Sequence, residues 1–221
     1  MKKIISVLFA ALLVLAASAS AETAFVSISN GQGELVLARE AIELSDADND
    51  GLLTISDALS IAHDLAFDGG AAEGYLAEDQ GYGLSLYKLW GEDNGGSYGY
   101  YVNNASAFSL TDSVSGGDHV KAYAYTDLET WSDTYCYFDV ENVSGVEVEL
   151  TLTALIFDAD WNLISVPVEG AIITVDGVDS SALTDAEGKV ALTLPDESKH
   201  LISARSENMV LVPPVCIAND R

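Results

Sequence analysis

Positive charge is scarce in this sequence. Nine Lys and Arg stand against 35 Asp and Glu in 221 residues, a formal net charge of −26. A chain of that sign repels nucleic acid and anionic lipid surfaces and attracts cations. Cysteine is nearly missing, with only Cys136 and Cys216. The three histidines, His63, His119 and His200, are scattered, and none has metal-ligand spacing to another His or to a Cys. Internal repeats and low-complexity stretches are lacking, and the Ser, His and Asp residues form no catalytic constellation that the sequence alone makes recognisable. The chain is therefore read as not an enzyme. Apolar residues are plentiful: 49% of the chain is hydrophobic, with three Trp and ten Tyr, which argues for a packed core and against disorder.

The opening MKKIISVLFAALLVLAASASA sets Lys2 and Lys3 before an apolar run from Ile4 to about Ala17, then Ala19-Ser20-Ala21 before Glu22. This is the pattern of a secretory signal peptide over residues 1–21. The run is too short for a comfortable membrane span. Its removal takes away Lys2 and Lys3, leaving seven Lys and Arg against 35 acids and a net charge of −28. The mature product is expected to be secreted or held at the cell surface, without membrane insertion. In an exported chain Cys136 and Cys216 are a candidate disulfide; two buried free thiols are the alternative.

Period-two alternation dominates the chain beyond residue 22 and predicts a mainly β protein. AFVSIS and LVLAREAIEL flank an Asn-Gly turn. LSLYKLW, YGYYVNN, DHVKAYAYTD, TYCYFDV and VEVELTLTALIF read as antiparallel strands separated by Gly-, Asn- and Asp-rich turns. One helix is predicted over 55–67, with Ile55, Ala58, Leu59, Ala62, Leu65 and Ala66 on one face and Gly69-Gly70 closing it. The expected organisation is a small β-rich domain with one packed helix over 22–165, followed by a β-sandwich-like module over 166–221.

The clearest chemical signal is DADNDGLLTISD, residues 46–57. Calcium wants six to eight oxygens, and a twelve-residue loop supplies them from positions 1, 3, 5, 7, 9 and 12. Those positions fall on Asp46, Asp48, Asp50, the Leu52 carbonyl, Thr54 and Asp57, with Gly51 at the sharp turn. The competing reading is a solvated acidic turn before a capping box, Thr54-Ile-Ser-Asp57. The two are compatible, because a ligand at the last position can also start the helix. Calcium is the expected ion. The loop resembles the calcium loops of dockerin modules, which also close on Asp. A second acidic group, Asp158-Ala-Asp160-Trp-Asn162, lacks the glycine and the closing carboxylate and reads as a β-turn.

Residues 24–127 resemble the C-terminal domain of transcobalamin and intrinsic factor and its bacterial relatives. The likeness rests on Asp57-Ala58-Leu59 in the helix, Tyr100-Tyr101-Val102-Asn103 ending an aromatic strand, and Gly117-Asp118 before the next strand. It implies a small β-rich domain with one packed helix and, by family, a corrinoid ligand. Residues 166–221, through PVEGAIITVDG, TDAEGKVALTLP and HLISA, resemble carboxypeptidase-regulatory-like or collagen-adhesin B-type modules, which implies a spacer or adhesion role.

Aromatic side chains on alternating strands carry two readings. Most fit the packing of half-buried strands. Trp90, Tyr98, Tyr100, Tyr101 and Trp131 could instead form a binding face for a small molecule, a glycan or a surface protein. The sequence therefore points to an exported, calcium-binding, non-catalytic protein that binds a ligand or partner. The alternative is a structural spacer in which calcium only stabilises the fold.

Overall fold

The computed structural model describes residues 22–81 and 83–220; the expected signal peptide lies outside them. The chain is mainly β, as the alternation predicts. Its first half runs β1 (Glu22–Ser29), β2 (Leu35–Leu44), α1 (Ile55–Ala66), α2 (Gly70–Gly74), β3 (Leu76–Asp79), β4 (Leu84–Leu89), β5 (Glu92–Asp93), β6 (Tyr98–Val102), β7 (Ala105–Ser106) and β8 (His119–Ala124). The second half runs β9 (Thr134–Phe138), β10 (Asn142–Val143), β11 (Glu147–Phe157), β12 (Leu163–Pro167), β13 (Ile172–Val175), β14 (Val178–Leu183), β15 (Lys189–Thr193), β16 (His200–Arg205), β17 (Leu211–Val212) and β18 (Cys216–Ala218).

Strands in the order β2-β1-β8-β6-β7 make one sheet, and β3-β4-β5 make a second, smaller one. Helix α1 lays Ile55, Ala58, Leu59 and Ala62 against Val26, Ile28, Ile42 and Val120, all fully buried or nearly so. The pairing of β1 with β8 is parallel. A parallel neighbour needs a long crossover, and the helix, the acidic loop and the small sheet all lie within it. The helix ends at Ala66, and Gly69 does not cap it; it precedes the short helix α2, which the flanking glycines concealed. Gly74 at the end of α2 packs so tightly that a Cβ there would lie 2.5 Å from the Phe67 ring.

The expected boundary near residue 165 falls inside β12 and is wrong in position. Cys136, Phe138, Leu150, Leu152 and Ala154 share one core with Val168, Ile173, Val190, Ile202 and Cys216. The second unit is therefore a sandwich of β10-β18-β16-β13-β14 against β12-β11-β9-β17, with β15 paired along the first half of β11. The chain changes core between β8 and β9. That connection is hydrogen-bonded throughout. Asp133 accepts from the Thr126 and Asp127 amides, and Asp127 gathers the amides of Glu129 and Thr130 and the hydroxyls of Thr130 and Ser132. These bonds hold the Asp127 carboxyl well below its ordinary range.

Cys136 and Cys216 are both buried free thiols on facing sheets, not a disulfide. The Cys136 thiol lies 3.2 Å from the Val212 carbonyl. Burial pushes both thiols up, Cys216 to about 12, and a thiol without thiolate character is unreactive. The folded protein is expected to give no colour with Ellman's reagent, and the protein unfolded without reductant to give two equivalents. No thiol released on unfolding would mean that the pair is oxidised.

Candidate metal centre

The acidic loop enters from β2, whose Leu44 is buried, and leaves into α1, whose Ile55 is buried, so both of its ends are fixed by the core. Between them Asn49 (φ +63°) and Gly51 (φ +90°) take left-handed backbone conformations, and these turn three alternate aspartates toward one point. One carboxylate oxygen each from Asp46, Asp48 and Asp50 lie within 4.8 Å of one another. The loop also folds on its own carboxylates. Asp46 accepts from the Asp50 and Gly51 amides, Asp48 from the Asp50 amide and Asp50 from the Leu52 amide. Desolvation by the surrounding chain and the charges of Asp50 and Asp57 raise the Asp48 carboxyl above its ordinary value, partly offset by the Asp50 amide. Three carboxylates so placed repel until a proton or a cation joins them.

Asp57, expected as the closing ligand, is placed differently. It is 2% exposed. One of its oxygens accepts from the Ala47 amide at 2.8 Å, and the other from the Thr54 amide and hydroxyl at 2.9 and 2.7 Å. The Thr54 side chain in turn caps the Asp57 amide, completing the capping box. Asp57 thus fastens the start of the loop to the start of the helix and stands outside the three-carboxylate group. The Thr54 hydroxyl, also expected as a ligand, donates to Asp57; the donors brought together are the three carboxylates, whose hard oxygens suit calcium in kind.

The five aromatic candidates do not form a face. Trp90, Tyr98 and Tyr100 pack half-buried against the first core. Tyr101 lies flat on Tyr135, ring centroids 3.6 Å apart, at the junction of the two units. Only Trp131 is well exposed, at 57%, and its indole N–H donates to the Ser97 hydroxyl. Two rings that alternation gave no reason to single out, Phe157 and Trp161, stand exposed on the β11–β12 hairpin, 6.2 Å apart. Between them Asp158 accepts from the Asp160 and Asn162 amides, the turn expected there.

Two serine–histidine–carboxylate arrangements occur that the sequence did not reveal. Ser27 Oγ lies 2.8 Å from His119 Nε2, and His119 Nδ1 lies 2.7 Å from Glu141. Ser27 is 3% exposed and already accepts from the Arg39 amide, so its hydroxyl proton is committed to the imidazole. In the second, Ser198 and Asp196 face His200 Nε2 at 3.3 and 3.2 Å, while Asp176 holds Nδ1 at 2.7 Å. These carboxylates, Asp176 first, raise the His200 pKa and favour its imidazolium. The sequence also contains the spacing G-x-S-x-G at Gly95–Gly99. It lies in the turn leading into β6, not at the strand-to-helix elbow where that motif is catalytic.

Glu141 gathers three basic groups from the first unit: His119, Lys121 at 3.2 Å and Arg39 at 3.4 Å. Burial pushes the carboxyl up, but the His119 hydrogen bond and the Lys121 charge outweigh it and hold Glu141 at about 2. His63 is the other buried imidazole. It accepts from the Trp90 amide and donates to the Leu59 carbonyl. Burial lowers the pKa of both His63 and His119. As pH falls through about 6.5, the unfolded chain binds protons that these two folded imidazoles refuse, so their effect is to weaken the fold with acid. His200 acts oppositely: its stabilisation is full below about 6.5 and fades as pH rises through its raised folded value. A proton NMR titration is expected to place the His200 midpoint above about 6.5 and those of His63 and His119 below it. The reverse order would contradict these protonation states.

No family model, curated protein or solved structure matches this chain, so the resemblance of residues 24–127 stands on their own motifs.

Proposed function

We propose that the protein is an exported, non-catalytic calcium-binding module whose role is structural, two β-rich units presented as one spacer. The observation that carries the reading is the convergence of Asp46, Asp48 and Asp50 on one point in a loop anchored at both ends by core residues. In a chain of net charge −28 once residues 1–21 are removed, three converging carboxylates cost least when a divalent cation joins them. Asp57 contributes by fixing the loop to α1, so that little order remains to be gained on binding.

The structural role is favoured over the ligand-binding one by where the aromatic rings go. Trp90, Tyr98 and Tyr100 are used in the first core and Tyr101 in the junction. A corrinoid ligand has only the family resemblance behind it. The second reading, docking of a glycan or surface protein, is favoured by the exposed pair Phe157 and Trp161 at one end of the sandwich. The non-catalytic reading is supported by the burial of Ser27 and His119, which keeps that hydroxyl away from solvent.

The test is thermal unfolding of chelator-treated protein with calcium restored. An affinity in the range of extracellular modules, Kd of about 10⁻⁴–10⁻³ M, is expected, with a melting temperature that rises with calcium through that range. Superimposable melting curves in calcium and in chelator would overturn the proposal.

A further inference from the structure

A cavity of about 360 Å³ opens beside the acidic loop, where the loop meets α1 and β3. That volume lies in the range of small-molecule sites, ~300–1,000 Å³. Asp48 belongs both to its wall and to the converging carboxylates. Ser60 enters the wall from α1, and Tyr75 and Leu76 enter it where α2 passes into β3. Tyr75 is fixed in place: its hydroxyl lies 2.9 Å from Ser56 Oγ, and its ring centroid 5.4 Å from that of His63. Leu76 is 42% exposed, so the wall offers apolar surface to whatever enters. Asp57 also borders the cavity, but its two oxygens are taken by the Ala47 amide and by Thr54.

We infer that a neutral sugar binds in this cavity with two vicinal hydroxyls on the metal ion, an inference that rests on the calcium reading above. Calcium takes about six to eight oxygens, and the chain brings it one each from Asp46, Asp48 and Asp50. The rest of its shell must come from outside the three side chains, and the cavity reaches the group at Asp48. Three carboxylates against one divalent cation leave the centre negative. A carboxylate or phosphate ligand would add like charge there. Neutral hydroxyls are hard oxygens that add none. Two on adjacent carbons are close enough to share one ion. The C–H face of the ring then lies on Tyr75 and Leu76, which supply apolar area, and the Ser60 hydroxyl can donate to or accept from a further sugar hydroxyl. Water completes a calcium shell equally well but makes no use of the apolar wall. The ion thus gains a role beyond ordering the loop: it holds the ligand.

The test is amide NMR of the purified protein titrated with D-mannose, D-galactose and L-fucose, in calcium and in chelator, with acetate as the anionic control. Calcium alone is read first, from the amides of the acidic loop. In calcium, at least one sugar is expected to shift the Ser60, Tyr75 and Leu76 amides saturably; in chelator the same sugar should leave them unmoved. Ser60→Gln puts a longer side chain into the cavity away from the carboxylates. It should keep the calcium shifts and lose the sugar response. If that variant fails to fold, the wild-type comparison of calcium with chelator decides alone. Calcium shifts with no response to any sugar would overturn this inference and leave the calcium reading standing. No calcium shifts would overturn both. A sugar response that persists in chelator or in Ser60→Gln, or a response to acetate alone, would also overturn it, because the sugar would then not sit on the ion in this cavity.

Discussion

Glu141→Ala is expected to destabilise the protein by about 3 kcal/mol or more, the size of loss seen when one partner of a buried charge cluster is removed. Arg39 and Lys121 have side chains only 10% and 11% exposed, and both meet this carboxylate. Without it their charges remain in a low-dielectric junction, and the His119 Nδ1–H loses its acceptor. Arg205→Ala is the control. Its partner is Asp179, both side chains are 49% exposed, and an exposed, solvent-screened pair contributes little. Urea unfolding of the two variants gives the comparison. A Glu141→Ala loss no larger than that of Arg205→Ala would mean that the junction does not depend on this cluster.

The second large effect is the linkage of calcium to stability. At calcium about 100 times its dissociation constant, binding to the folded state alone adds roughly 2.7 kcal/mol. Asp48→Ala should abolish most of that gain. The calcium-free variant should be no less stable than calcium-free wild type, because one of three crowded charges has gone. Thr54→Ala separates the metal from the cap. It breaks the capping box and is expected to cost about 1 kcal/mol with or without calcium. The structure strengthens the contrast, since Asp57 serves the cap and lies outside the converging group. A calcium response that survives in Asp48→Ala would reduce the loop to an acidic turn.

How far the fold was legible in the sequence depends on how local each feature is. Strands such as Leu84–Leu89 and Glu147–Phe157 alternate, and α1 carries its apolar stripe and capping box within one segment. The boundary was misplaced because no linker composition marks it. The junction residues 125–133 are held by Asp127 and Asp133, which read in sequence as ordinary turn residues. The parallel pairing of β1 with β8 is invisible to alternation, which is the same in either direction. The Glu141 cluster joins residues 39, 119, 121 and 141, distant in sequence and not a motif. One trace of it existed: His119 and Lys121 recur two apart in a strand whose remaining residues are apolar or aromatic, where polar groups need partners. The role of Asp57 was half legible, because ligand and cap make the same demand on sequence and only the directions of its two oxygens distinguish them.

Direct calcium binding tests the central claim most plainly. Chelator-treated protein and its Asp48→Ala variant are dialysed to equilibrium against radioactive calcium at concentrations spanning about 10⁻⁵–10⁻² M, bracketing the range of extracellular sites. The account predicts one saturable ion per chain in the wild type and none in the variant. No saturable binding in the wild type, or equal binding in both, would contradict it.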